Sequence, residues 1–191
     1  DTTVSGNDAT GTTLVDATGS NGADISGTDV SNNNMTDSTG VDVSGSEGTS
    51  VGDTNFSGND ASGSTFVDVS DASGTEITGT NVSDNKLSNS TAVNVDGSSG
   101  TKIEDSSFDK NTVSDNSAII DVKNSTNTGV TDTKFSNNNI TCNSSVIEVI
   151  DSPDTNMTGN NMTDNNISED SSDIEVIDTN ININAPDLVK Y

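Results

Sequence analysis

The sequence predicts an all-β chain wound as a parallel β-helix: a solenoid of about seven coils of 26–27 residues, with three short strands in each. Three observations predict it. An asparagine recurs seven times, at Asn7, Asn33, Asn59, Asn85, Asn111, Asn138 and Asn165, at intervals of 26, 26, 26, 26, 27 and 27 residues. A hydrophobic residue stands three positions before each: Val4, Val30, Phe56, Val82, Phe108, Phe135 and Met162. Short segments rich in Val, Ile and Thr then alternate in period two between clusters of Gly, Asn, Asp and Ser, the pattern of half-buried strands joined by turns.

The repeat decides against disorder. Leu, Ile, Val and Phe make up just under a fifth of the chain and the formal net charge is -25, values that composition alone assigns to unfolded chains. A disordered chain has no reason to keep register across seven copies.

Each unit can be justified element by element. Two residues after the asparagine comes an apolar column: Ala9, Met35, Ala61, Leu87, Val113, Ile140 and Ile167. The alternating segment begins on Val15, Val41, Val67, Val93, Ile120, Ile147 and Ile174, and two residues later has Ala17, Val43, Val69, Val95, Val122, Val149 and Val176. A further segment contributes Ile25, Val51, Ile77, Ile103, Val130 and Met157. The extra residue of the last three copies falls just before the alternating segment, where a turn absorbs it. No apolar stripe of helical period is long enough for a helix. Stacked coils rise roughly 4.8 Å apiece, so like sits over like and about five inward side chains per coil share one narrow core.

The asparagine column reads as an internal polar ladder. An amide has two donors and an acceptor, so stacked copies satisfy one another, whereas unpaired buried groups cost about 1–3 kcal/mol each. Residues 1–179 form one domain of seven coils, and residues 180–191 (NININAPDLVKY) leave the repeat as a final strand or cap. No apolar run reaches the length of a membrane span and no signal peptide is visible, as expected of a processed protein or a piece of a longer array.

Thirty-one acids face six lysines, with no arginine and no histidine, and such a surface repels nucleic acid and anionic membranes. It suits an extracellular, hydrated protein at a cell surface. Cys142 is the single cysteine, which leaves no internal disulfide. Between the two inward columns of the alternating segment lies Asp16, Asp42, Asp68, Asn94, Asp121, Glu148 and Glu175. This outward ladder stacks like charges one coil apart, which raises their pKa values, and Ca²⁺ bound along Asp16, Asp42, Asp68, Asp121, Glu148 and Glu175 would relieve the repulsion. The opposing reading is a ladder screened by solvent and monovalent ions. Ten N-x-S/T sequons occur, at Asn34, Asn55, Asn81, Asn89, Asn124, Asn139, Asn143, Asn156, Asn161 and Asn166, a number that the abundance of Asn, Ser and Thr accounts for by itself. They are the candidate glycosylation sites.

The segments VSGN, VSNN, FSGN, VSDN, FDKN, FSNN and MTDN resemble the FxxN repeat of right-handed β-helical surface proteins, among them polymorphic outer-membrane proteins and adhesin-like proteins. The resemblance covers essentially the whole chain and implies a right-handed coil. The GGA[I/L/V] element of those families is replaced here by sequences such as STFVDV and SAIIDV. Lyases and polygalacturonases with β-helical folds rely on arginine or histidine, which this chain lacks, and no long loop sets a pair of acids apart. The sequence therefore points to a non-enzymatic extracellular structural protein. It would be the stiff stalk of an adhesin-like protein, or the subunit of a filament whose uncapped coils pair head to tail with copies of itself or with further coils. The alternative is an adhesin module that recognises glycan or host protein through a polar face.

Overall fold

The computed structural model describes residues 2–179 and 181–184. Among them are twenty-eight strands and no helix, arranged as four parallel sheets of seven strands each. The first coil sets the plan with Thr2–Ser5, Asp8–Thr10, Thr13–Asp16 and Asp24–Ser26, one strand for each sheet. Every later coil lies on the previous one in register, so that Val82 pairs with Phe56 and Phe108, and Val93 with Val67 and Ile120.

A coil thus has four strands, where the sequence suggests three. The two apolar columns that flank the asparagine sit on separate strands because a left-handed residue breaks the chain between them. That residue is Gly6, Asn32, Gly58, Asp84, Lys110, Asn137 or Asp164, all at positive φ. Only glycine, and to a lesser degree Asn and Asp, enters this region cheaply, which explains the wealth of these residues at the corners. The inserted residue of the later coils is absorbed as expected. Asp115–Asn116 and Cys142–Asn143 form two-residue left-handed corners immediately before the third sheet.

The core is a single file of Val, Ile, Phe, Leu, Met and Ala running through the stack. One of its columns escapes the sequence reading. At the corner entering the third sheet two successive residues turn inward, so Phe66 and Val67, Ala92 and Val93, Ile119 and Ile120, and Val146 and Ile147 are all buried. Phe66 stacks on Phe56 with ring centroids 5.0 Å apart, and Phe108 stacks on Phe135 one coil above at 5.1 Å. Gly40 makes room for the first pair. A Cβ there would lie 2.6 Å from the Phe56 ring and 2.6 Å from the Phe66 carbonyl oxygen.

Polar ladders line the corners. The Asn59 backbone N–H and side-chain amide donate to Asn85 Oδ1 at 2.9 and 3.0 Å, and Asn85 Nδ2 donates to the Phe56 carbonyl at 2.9 Å. The same set repeats from Asn7 to Asn165. Serine does similar work at the next corner, where Ser38, Ser64, Ser90, Ser117 and Ser144 each accept the backbone N–H of the coil before. Of the C-terminal segment 180–191, Asn182–Asn184 continues the fourth sheet against Asn156–Thr158, with Ile183 over Met157. The expectation for the rest of that segment lies outside the described residues.

Candidate functional site

The third sheet carries the longest strands, six residues each from Thr65–Ser70 to Ser172–Ile177. Long parallel strands in register make a flat outer face, and the acidic column runs along it. In its lower half the acids are taken up by neighbouring donors. The backbone N–H of Thr18 donates to Asp16 and that of Ser44 to Asp42, each at 2.9 Å, while the Ser70 hydroxyl and the Asn94 amide share Asp68 Oδ1 at 2.6 and 2.9 Å. The contacts with Thr18 hold the Asp16 carboxyl below its ordinary range.

The upper half differs. Lys123 is the one lysine of this face, and its ammonium lies 2.7 Å from Asp121 Oδ2 and 3.8 Å from Glu148 Oε2, on adjacent strands. The side chain of Asp121 is only 10% exposed, and its Oδ1 is sealed from solvent with no hydrogen-bond partner. Burial pushes the Asp121 carboxyl up despite the ion pair with Lys123. Glu148 is also raised, first by burial and then by the charge of Asp121, with Glu175 adding to it. Burial opposes the charge on Lys123, but the contacts with Asp121 and Glu148 outweigh it and hold the ammonium above its ordinary pKa.

One rung higher, Ser145 donates to Glu175 Oε2 at 3.1 Å. The column beside these acids changes from Asp96 and Lys123 to Ile150 and Ile177, the latter 38% exposed. Beyond those two isoleucines the corner forms a shallow, open depression lined by Asp151, Pro153, Asp154, Asp178 and Thr179.

The structure therefore splits the expected calcium ladder. Asp16, Asp42 and Asp68 are internally bonded, Asn94 interrupts the column, and Lys123 neutralises the next two acids. Among the described residues no three His, Cys, Asp or Glu side chains are grouped so as to hold a metal ion. All ten sequon asparagines lie off the core. Asn34, Asn89, Asn124, Asn143, Asn156, Asn161 and Asn166 are exposed, and Asn55, Asn81 and Asn139 are half-buried. Lys123 and the isoleucine strip went unnoticed in the sequence. Their signal is there, as the only cation and the only apolar pair in a column otherwise of Thr, Ser and Asp.

No protein-family model matches the chain, and no curated protein sequence matches it. Solved structures do resemble it, and they are right-handed parallel β-helix proteins. A periplasmic alginate epimerase shares 10% identity over 82% of this chain and 51% of its own, with a TM-score of 0.43. An endo-xylogalacturonan hydrolase of Aspergillus tubingensis shares 13% over 87% and 62%, with a TM-score of 0.28. The DFA-IIIase of Arthrobacter chlorophenolicus A6 without its lid shares 11% over 86% and 61%, with a TM-score of 0.31. The chain spans about half the length of the epimerase, and likeness at this level bears on the fold alone.

Two expectations are corrected here. The sequence points to a non-enzymatic stalk, filament subunit or adhesin module and sets catalysis aside, yet an epimerase and hydrolases are among the solved structures that resemble this chain, alongside a fluoroquinolone resistance protein, QnrB1. The fold is not the mark of an inert rod, and that reading is given up. No described helix is long and apolar enough to cross a membrane.

Proposed function

We propose that this chain is a carbohydrate-active β-helix that works outside the cytoplasm on an extended polysaccharide laid along the outer face of its third sheet. One observation carries the reading: Glu148 and Glu175 stand on adjacent rungs of a flat face, above the ion pair of the buried Asp121 with the partly exposed Lys123 and beside an apolar strip. A ladder step of about 4.8 Å is close to the roughly 5–5.5 Å between the two carboxyls of glycosidases that retain configuration. Glu148, raised by burial and by Asp121, holds a proton to higher pH and is the acid that protonates the leaving glycosidic oxygen. Glu175 is the second carboxylate. It adds to the anomeric carbon as the glycosidic bond breaks, and water activated by Glu148 then releases the sugar. Lys123 and Asp121 are positioning residues that fix the charge beneath Glu148. Ile150 and Ile177 offer carbon surface to the sugar rings in place of the aromatic platform this face lacks.

The FxxN-type repeat supports placing the chain with exported surface β-helices, where polysaccharide is at hand. The test is release of reducing ends from a panel of plant, algal and microbial polysaccharides. The reading expects cleavage with retention, and a fall of about 10²–10⁴-fold for Glu148→Gln and for Glu175→Gln. Cleavage by the double variant at the wild-type rate, or a panel neither bound nor cleaved, would sink it.

A further inference from the structure

The ion pair beneath Glu148 differs from the others of the described residues. Lys86 with Asp60, Lys102 with Glu76 and Lys110 with Asp109 each join one exposed lysine to one acid. Lys123 instead has two acids within reach on adjacent strands, Asp121 Oδ2 at 2.7 Å and Glu148 Oε2 at 3.8 Å, a difference of 1.1 Å. We propose that Lys123 is a moving counter-ion: it rests on Asp121 while Glu148 keeps its proton, and is drawn up the rung to bridge both carboxylates when that proton leaves. The inference rests on the reading of Glu148 as the acid.

The two acids are unequal, and the inequality gives the motion its direction. The Asp121 side chain is 10% exposed and its Oδ1 is sealed without a partner, so the ammonium on Oδ2 compensates its charge and stays with it. An ammonium has three donors, which leaves one for a second acceptor. Glu148, 24% exposed, makes little claim on that donor while it is neutral. Once ionised it attracts the ammonium with an energy that grows as the gap closes, and the Lys123 side chain, 38% exposed, is free to follow.

The groups around them are otherwise engaged. One rung below, Asn94 lies in register with Asp121 and gives its amide to Asp68, while Asp96 lies in register with Lys123 and accepts the Asn124 amide at 3.0 Å. One rung above, Glu175 accepts from Ser145 at 3.1 Å, and after burial and the charge of Asp121 its own charge further favours a protonated Glu148. The approach of Lys123 thus stabilises the carboxylate left when Glu148 protonates the leaving oxygen, and is undone when Glu148 takes a proton back from water.

Carboxyl-carbon NMR gives the titration midpoint of Glu148, and crystal structures about 2 pH units to either side of it give the distances. Above the midpoint the ammonium should lie about 2.8 Å from both Glu148 and Asp121. Below it, and in Glu148→Gln at either pH, it should touch Asp121 alone. Asp121→Asn removes the competing charge, so Lys123 should stay on Glu148 and the Glu148 midpoint should fall by about 1 pH unit. An ammonium at the same distances on both sides of the midpoint would overturn the counter-ion, as would a Glu148 midpoint that Asp121→Asn leaves in place. Neither readout needs turnover. A moving Lys123 in a protein that cleaves no polysaccharide would bring down the carbohydrate reading alone, and cleavage with a stationary Lys123 the counter-ion alone.

Discussion

Replacing Asn85 by alanine tests whether the asparagine ladder holds the coils together. Asn85 is 2% exposed, at the middle of the stack. Its Oδ1 accepts the backbone N–H and the side-chain amide of Asn59 at 2.9 and 3.0 Å, and its Nδ2 donates to the Phe56 carbonyl at 2.9 Å and to Asn111 Oδ1 at 3.1 Å. Truncation leaves the Asn59 amide with another acceptor, the Val30 carbonyl, and Asn111 Oδ1 keeps the backbone N–H of Asn85. The Asn59 backbone N–H loses its partner in a place water does not reach, while the Phe56 carbonyl, in register with Val82 in the parallel ladder, keeps its bond to the next strand. At about 1–3 kcal/mol for the stranded group, the loss is about 1–3 kcal/mol. For a chain of this size that is a fall in melting temperature of roughly 2–12 °C. Asn81→Ala is the control, since that side chain is half-buried on the outer surface and bonds only Asn55 and Ser83. Urea denaturation of both variants decides the matter. If Asn85→Ala lost no more than about 0.5 kcal/mol beyond the control, the ladder would be a consequence of coil stacking and not a cause of it.

Three further outcomes follow from the same structure. Gly40→Ala should cost about 1–3 kcal/mol in urea denaturation, because its methyl meets both the Phe56 ring and the Phe66 carbonyl; unchanged stability would mean that this corner yields freely. The Asp121 carboxyl is raised by burial, so its contribution to stability is whole below its ordinary value of 3.8 and is lost as pH rises through the folded value. Asp121→Asn should therefore gain on the wild type between about pH 3 and about pH 7, and a constant difference across that range would contradict the burial argument. Asp109 runs the other way. Bonds from Ser136, Asn137 and Lys110 hold its carboxyl far below the ordinary value, so its contribution is present above 3.8 and is lost as pH falls. Asp109→Asn should be less stable than the wild type near neutrality and approach it in acid, which the same pH series reads.

The repeat was legible in the sequence because each coil must place the same residue over its own copy, and a 26-residue period leaves that mark whatever the composition. Register, the asparagine ladder and the corner that takes the extra residue all follow from it. The serine ladders were hidden. Ser is common on every surface of this chain, so its inward copies, such as Ser64 and Ser90, do not stand out from the outward ones. The second inward column at the third corner was hidden for a related reason, since Leu14, Gly40, Phe66, Ala92, Ile119 and Val146 differ too much in size to form a pattern.

The acidic column shows the division most plainly. Alternation between two valines told which way Asp16 through Glu175 point. It could not tell that Asp68 would be bonded by Asn94, or that Lys123 would fold back over Asp121 and bury it. Those depend on side chains from neighbouring coils meeting across one rung. Sequence periodicity determines what stacks on what; only the packed coils decide which of the stacked charges keep water, and so which of them can do chemistry.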